Sequence, residues 1–424
     1  MKVLIATWGN PCSWEIVEYE YEGQTTIAST SLEVIHKVEN PNYAIIVISD
    51  TLANSSFLPK SNKNNCDCYD PNPFSDYNDV KQRAINCAQS IINQHQIKVN
   101  KIIVSPGVGN YSNSSYEGNP RDFYHITLYE LTDYIIQNVL NSNDKNIEIV
   151  FDITHGQNYH IVSIYDAIYE MAQILSYFFM VNLKVLYSEP VAPVSTKSKY
   201  RINKIVNFQV FPNFPISIDH NLLNQFKQMI KKNQQNNELR YYCFGSSIIH
   251  GLPYFIYYYM PDLNNLKNDI GAELNNFYSN ILVNGNVVKR QIQISEKTSD
   301  LVKIYLISFI LNKIGFKNQS QVSQIKIVEL TRKLYRRIAT LRNEIILEIN
   351  RFFKSKKSFL LPNDLKKLKR NFFAHRGLLR ILNQNLFTIS KNTIIFNGSN
   401  IVQNFNRSCE NIIQEFLIEE IPRR

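Results

Sequence analysis

Near the C-terminal end of this 424-residue chain, the segment KRNFFAHRG (369–377) sets Arg370, Asn371 and His375 within two helical turns. At 3.6 residues per turn Asn371 and His375 are i and i+4 and share one face. The long Arg370 side chain can reach the same pocket, while Phe372 and Phe373 can face a core. These residue types suit cleavage of RNA by internal transfer, in which the substrate's own 2′-hydroxyl attacks the neighbouring phosphorus. Such a reaction needs no enzyme nucleophile and no metal. It needs a general acid/base that works near neutral pH, which His375 can supply. It also needs a cation against the phosphorane, which suits the Arg370 guanidinium, with the Asn371 amide to orient either group. As a bare pattern R-x-x-x-x-H also arises by chance, and a helical histidine is often structural.

A second set of polar residues follows apolar runs in the first half of the chain. The groups are Trp8-Gly9-Asn10, Ser49-Asp50-Thr51, Ser105-Pro106-Gly107 and Thr154-His155-Gly156, the last within FDITHGQNYH (151–160). In an open parallel sheet, ligands bind outside the carboxyl ends of the strands, where such turns gather. Glycine lets backbone N–H groups approach a phosphate, and hydroxyls or amides complete the hydrogen bonds. The candidate ligand-binding residues are therefore Asn10, Asp50, Thr51, Ser105, Gly107, Thr154, His155, Gly156, Gln157 and Asn158. The same turns could instead simply cap helices. Neither G-x-G-x-x-G nor G-x-x-x-x-G-K-[ST] is present, so the usual dinucleotide and nucleoside-triphosphate sites are not expected.

The elements that must position these residues change character along the chain. Runs at 3–7, 43–49, 101–105, 147–152, 183–187 and 205–211 are short, continuous and apolar, as in strands buried on both faces. Helical patterns at 27–38, 79–94 and 161–179 alternate with them, and 14–21 forms an extra hairpin after the first strand. This order predicts an α/β, Rossmann-like domain with a mainly parallel sheet over 1–212. Polar stretches at 55–78 and 107–122 are expected to be surface loops. The prolines of FPNFPIS (211–217) end the last strand, and residues 213–424 then read as mainly α-helical. Helices are expected at 222–232, 300–314, 322–353, 364–382 and 408–420, with a hairpin at 393–405. A variable insertion is expected over about 220–320, in which 246–293 is aromatic and mixed with some helix.

Charge follows the same division. Residues 301–424 carry 23 Lys and Arg against 8 Asp and Glu, whereas the first 300 carry 23 against 28, within a net charge of +10. The basic third suits a polyanion partner. No run approaches the roughly 20 apolar residues of a membrane span, and the N-terminus turns polar too soon for a signal peptide. A cytoplasmic location with no membrane partner is expected. Six cysteines, Cys12, Cys66, Cys68, Cys87, Cys243 and Cys409, appear scattered apart from the C-D-C at 66–68. They are expected to be reduced and incidental, with no metal site.

Taken together, DITHGQN (152–158), VEYEYEGQT (17–25), Ser188-Glu189-Pro190-Val191, Arg370-Asn371, His375 and Gly377 resemble the CRISPR-associated CARF–HEPN ribonucleases, ancillary effectors of type III systems. The resemblance runs from the first strand to the helix carrying His375. It implies an N-terminal CARF sensor that binds a cyclic oligoadenylate, most simply cyclic tetra-adenylate, through the turns named above. It implies a C-terminal HEPN domain that cuts single-stranded RNA without cofactor or metal, using Arg370 and His375 with Asn371 in support. It further implies a homodimer or higher homo-oligomer, with the ligand and a composite cleft each shared across the two-fold axis. Arg376 departs from the small residue that often follows the histidine, so the cleft is expected to carry different charge.

Three other readings remain. The sensor could control a DNA-binding transcription regulator, or only sequester its ligand, or be fused to a metal-dependent nuclease. The last needs clustered carboxylates, and Glu329, Glu344, Glu348 and Asp364 show no such cluster in sequence.

Overall fold

A strand that is apolar on both faces is stable only in the middle of a covered sheet. In the computed structural model such runs form the centre of an eight-stranded sheet. The structure describes residues 1–53, 68, 72–111, 113–141, 144–190, 199–234, 236–354, 364–379, 386–390, 392–402, 405 and 407–423. In chain order the first elements are β1 (Lys2–Trp8), β2 (Val17–Tyr21), β3 (Gln24–Ala28), α1 (Leu32–Glu39), β4 (Tyr43–Ser49) and α2 (Tyr77–Gln94). There follow β5 (Lys101–Ser105), β6 (Gly109–Asn110), β7 (Ser115–Glu117), α3 (Asp122–Tyr134), β8 (Asn146–His155), α4 (Asn158–Leu175), β9 (Met180–Ser188) and β10 (Lys199–Gln209). The sheet order is β3-β2-β10-β9-β8-β1-β4-β5. From β9 to β5 all neighbours are parallel. The hairpin of β2 and β3 is added through β10.

The chain leaves β1 in one direction through β4 to β5, and later fills the other side with β8 and β9. The strand order therefore reverses between β1 and β8, and a crevice opens at their carboxyl ends. The middles of the central strands are nearly solvent-free; Val3 to Ile5 and Ile149 to Phe151 are wholly buried.

At the opposite end of these strands lies a buried charge cluster. Glu39 receives Lys2 Nζ at 2.6 Å, Lys184 Nζ at 2.8 Å and Tyr21 Oη at 2.6 Å. Burial alone would push the Glu39 carboxyl up, but its three donors hold it down at about 2. An acid depressed in the folded state contributes stability above its unfolded pKa and loses it as pH falls toward its folded one. Thermal stability is expected to fall between about pH 4.5 and 2, and Glu39→Gln should flatten that slope in melts at stepped pH.

Several expectations are corrected. Residues 24–28 are not the start of a helix at 27, because Val17 to Tyr21 pair with them residue for residue and leave Ile27 on an open face. Of the two expected loops, 107–122 contributes β6 and β7. Within 55–78, residues 54–67 (Cys66 included) and 69–71 lie outside the described residues, as does Val191. Beyond β10 come α5 (His220–Lys231), α6 (Asn237–Ile249), α7 (Pro253–Tyr259) and α8 (Leu263–Ser279). Then follow β11 (Ile281–Asn284) and β12 (Val287–Arg290), a hairpin where only an insertion with some helix was expected. β12 pairs with β7, giving a second sheet in the order β11-β12-β7-β6.

This pairing moves the domain boundary. The chain divides into one unit of Met1–Ala172, Phe179–Val210 and Ile270–Ser299, and a second of Gln173–Phe178, Phe211–Asp269 and Asp300–Arg424. The sequence boundary at 212 is close, but the strand ladder with β7 takes 270–299 into the first unit.

The remaining elements are α9 (Glu296–Lys313), β13 (Gln321–Ser323), α10 (Gln324–Leu334), α11 (Ala339–Lys354), α12 (Leu365–Ala374), β14 (Phe387–Ser390), β15 (Thr393–Phe396) and α13 (Cys409–Glu419). The expected helix 322–353 is two helices, with a cap at Tyr335 and a fresh start at Ala339. α12 ends at Ala374, short of the expected 382, of which 380–382 lie outside the described residues. The expected hairpin begins earlier, at Phe387.

The cysteines are not scattered. Cys68 and Cys87 form a disulfide, and Cys12 lies close to both, all three buried in the first unit. Cys243 and Cys409 are free and buried.

Candidate functional site

The two sets of residues singled out in the sequence lie in different units and are built by different means. In the first unit, the reversal between β1 and β8 brings Trp8-Gly9-Asn10 against Thr154-His155-Gly156. The Gly9 N–H donates to the His155 carbonyl at 2.8 Å. A side chain at Gly9 would meet the Gln157 side chain, whose Cγ would lie 2.4 Å from the added carbon. At Gly156 an added carbon would meet Ile161 at 2.4 Å and Thr7 at 2.6 Å. Both glycines are thus fixed by close approach. Asn158 opens α4 with a positive φ of 43°, a backbone state that asparagine tolerates better than most residues.

His155 lines this crevice as a neutral imidazole. Burial pushes its pKa down to about 3. Its Nε2 accepts from the Ser31 backbone N–H at 3.3 Å, so the ring proton sits on Nδ1. Tyr19 Oη lies 3.2 Å from the same nitrogen, and the Trp14 ring lies against the imidazole at 4.1 Å. Ser31 also donates from Oγ to Asp152 at 2.8 Å, and Asp152 accepts from the Thr154 N–H at 3.0 Å. The β2–β3 hairpin and the loop before α1 therefore hold the DITHGQN turn in shape. Asn10 Oδ1 accepts from the Cys12 N–H at 3.0 Å and caps the 3-10 turn Pro11–Ser13.

The polar groups of the other two turns are engaged within the unit. Asp50 is wholly buried and forms an ion pair with Arg290. It also accepts from Tyr77 Oη at 2.9 Å and from the Gly107 N–H at 2.7 Å. Thr51 bonds Ser49 Oγ through both its N–H and its hydroxyl, and Ser105 Oγ bonds Thr127. The Gly107 carbonyl accepts from Arg290 at 2.8 Å. Asp50, Thr51, Ser105 and Gly107 thus satisfy one another and the interior, because a buried charge must be paired where it stands. Arg290 was missed in the sequence. The signal that could have found its strand is Asn284-Gly285 between the β-branched runs of ILVNGNVVKR. Tyr159 was also missed; its hydroxyl accepts from the Val108 N–H at 2.9 Å.

In the second unit, α12 is an amphipathic helix whose N-cap is Asp364. Phe372 is buried against Phe255 and Phe416. His375 caps the C-terminus, its N–H donating to the Asn371 carbonyl at 3.0 Å. Arg376 and Gly377 then take positive φ of 51° and 75°, and the Gly377 N–H closes back on the Phe372 carbonyl at 2.8 Å. The helix stop is what turns His375 toward α11.

There its Nδ1 lies 3.1 Å from Glu348 Oε2, with 34% of the His375 side chain exposed. A carboxylate at Nδ1 orients the ring. Glu348, read in the sequence as an unclustered acid, is the residue that pattern alone could not join to His375. Arg370 is exposed and has no ion pair with a described residue, whereas neighbouring Lys369 is engaged by Glu419 and Glu420. Arg376 pairs with Glu344 and donates to the His250 carbonyl, so its charge is compensated within the unit.

Residues 3–190 match the model for the CARF domain of the CRISPR system endoribonuclease Csx1. The CRISPR system endoribonuclease Csx1 of Methanocaldococcus jannaschii is 27% identical over 420 residues, covering 89% of this chain and 84% of that protein. Among solved structures, Enterococcus italicus Csm6 bound to cyclic hexa-2′-fluoro-hexa-dAMP aligns over 99% of this chain and 94% of its own. The identity there is 11% and the TM-score 0.24, too distant to bear on the fold.

Proposed function

We propose that this chain, a CARF-containing CRISPR ancillary endoribonuclease, cuts single-stranded RNA at His375 under control of a cyclic oligoadenylate bound at the β1/β8 crevice. The observation that carries the catalytic part is the His375–Glu348 pair at the end of α12, with an exposed Arg370 five residues earlier. In the proposed reaction the RNA 2′-oxygen attacks the adjacent phosphorus and the 5′-oxygen leaves. The products are a 2′,3′-cyclic phosphate and a 5′-hydroxyl end. Nε2 of His375 moves the proton, Glu348 holds the ring, and Arg370 faces the phosphorane charge. Asn371 supports the helix end through its carbonyl. No metal takes part in this scheme. One histidine per chain serves one proton transfer at a time, so a homodimer that pairs two such histidines would supply both acid and base.

The sensor part rests on the strand reversal, which gathers Gly9, Asn10 and Thr154 to Asn158 where an open sheet takes its ligands. Cyclic tetra-adenylate is the activator proposed, its phosphates facing the N-terminus of α4. A symmetric ligand across a dimer would couple the two sites.

The test is incubation of the purified protein with single-stranded RNA in EDTA, with and without cyclic tetra-adenylate. Ligand-dependent cleavage to cyclic-phosphate ends is the expected result. Binding of the ligand without cleavage would replace this reading with a non-catalytic sensor or a DNA-binding regulator. Within the scheme, Glu348→Gln should lower kcat by roughly tenfold or more with KM for RNA unchanged, while His375→Ala costs more. An unchanged kcat would remove Glu348 from the mechanism.

A further inference from the structure

The second unit contains a cavity of about 450 Å³, and every residue that lines it belongs to that unit. It lies where the start of α6, the turn from α7 into α8 and the residues around the end of α9 come together. The volume falls in the range of about 300–1,000 Å³ that takes one small ligand. Neither the β1/β8 crevice nor the His375 site contributes a residue to it.

Its walls offer three kinds of chemistry. Tyr241 and Tyr259 bring aromatic rings, with Met260 and Leu263 as apolar neighbours. The Tyr241 hydroxyl donates to Asp269 at 2.9 Å, and the Arg240 guanidinium lies 5.2 Å from the Tyr259 ring, so both rings are held. The side-chain amides of Asn237, Asn265 and Asn312 line the same space and make no hydrogen bond to a described residue. Asn318 donates from Nδ2 to the Tyr258 and Met260 carbonyls at 3.1 and 3.0 Å, which leaves its Oδ1 as an acceptor. The charges divide into spent and unspent. Arg240 is bound by Glu410 at 3.1 Å and by the Tyr258 carbonyl at 3.0 Å. Asp262, the acid of the lining, accepts from the Asn264 and Asn265 N–H groups at 3.0 and 2.9 Å at the start of α8. Lys317 is exposed and has no ion pair with a described residue.

Rings for a flat face, unspent amides for a donor–acceptor edge and a cation for a phosphate are what recognition of an unpaired nucleotide uses. We propose that this cavity binds one ribonucleotide, either free or as an unpaired unit of a longer strand. The base lies among Tyr241, Tyr259 and the amides of Asn237, Asn265 and Asn312, and the phosphate meets Lys317. The volume suits a single nucleotide and not a ring of four, so this ligand differs from the activator proposed for the other unit. The site also has a mechanical neighbour. Tyr259 stacks on Phe255 one turn earlier in α7 at 6.1 Å, and Phe255 packs on Phe372 of α12 at 5.4 Å. A carbon added at Gly377 would lie 3.0 Å from that same Phe255 ring. One short helix thus joins the wall of the cavity to the helix end that carries His375.

The test is titration calorimetry of the full chain with AMP, CMP, GMP and UMP, and with a short single-stranded oligoribonucleotide. The strand is titrated into the His375→Ala protein, so that binding is read without cleavage and fails or succeeds separately from the ribonuclease reading. Saturable binding of at least one mononucleotide is expected. Lys317→Ala and Asn265→Ala change exposed side chains, so melting should be unaffected while each weakens binding by about tenfold or more. Lys317→Arg, which keeps the charge, should restore most of the affinity. Displacement of the mononucleotide by the strand would identify RNA as the source, and undisturbed binding beside a saturating strand would identify a free nucleotide; either result supports the site. The proposal is overturned if none of the four mononucleotides binds saturably. It is equally overturned if binding survives Lys317→Ala and Asn265→Ala together, or is lost instead in Arg370→Ala, which would place the nucleotide at the His375 site.

Discussion

Replacing His375 by alanine is expected to slow RNA cleavage by roughly 10²–10⁴-fold, the usual contribution of a positioned general acid/base. The loss should appear in kcat at saturating RNA. His375 is a helix cap with a third of its side chain in solvent, so the melting temperature should change little. Binding of the cyclic oligoadenylate should be unaffected, because its crevice is built by residues of the other unit. Arg370→Ala is expected to cost roughly 10²–10³-fold by removing charge stabilisation from the phosphorane. Arg370→Lys should recover part of that, since an ammonium keeps the charge but not the guanidinium fork. Single-turnover cleavage with titration calorimetry for the activator separates these effects. If His375→Ala cuts as fast as the unmodified protein, the acid/base lies elsewhere and the pairing with Glu348 is structural.

Removing one partner of the Asp50–Arg290 pair should be the most damaging single change to the first unit. Both side chains are essentially without solvent contact. Breaking a buried pair by removing one partner costs about 3–5 kcal/mol, because the other charge stays buried without compensation. Asp50→Ala also strips an acceptor from Tyr77 and from the Gly107 N–H, and Arg290→Ala strips a donor from the Gly107 carbonyl. The two substitutions together should cost less than the sum of the singles, the mark of a shared interaction. Denaturant titration of the two single variants and the double checks this. Additive losses would mean that the residues act independently. Since β12 carries Arg290 from 240 positions away in sequence, Arg290→Ala should also loosen the connection between β5 and β6, visible as faster amide exchange at Gly107 and Val108.

Part of this protein is written locally. β4 and β5 begin and end where their apolar runs do, since a continuous run of β-branched residues has few uses besides a strand covered on both faces. DITHGQN carried its own strand, turn and helix start, whereas the stop at Gly377 went unread, since the helix was expected to run on to 382. The sheet order was not local. It was decided by which strands pair across the β1–β8 reversal, and that alone determined that the 154–158 turn meets Gly9 while the Ser49–Thr51 turn is sealed inside. Asp50 looked like a ligand group because an acid after a strand can serve one; only the arrival of Arg290 made it an interior ion pair. Glu348 was only an unclustered acid until the packing of α11 brought it to His375. Cys12, Cys68 and Cys87 looked unrelated until the fold brought their sulfurs within 4.8 Å of one another. Sequence determines these elements because propensity and burial pattern act over a few residues. Tertiary structure decides the partners of buried charge and sulfur, because desolvation enforces pairing only once distant segments are in contact.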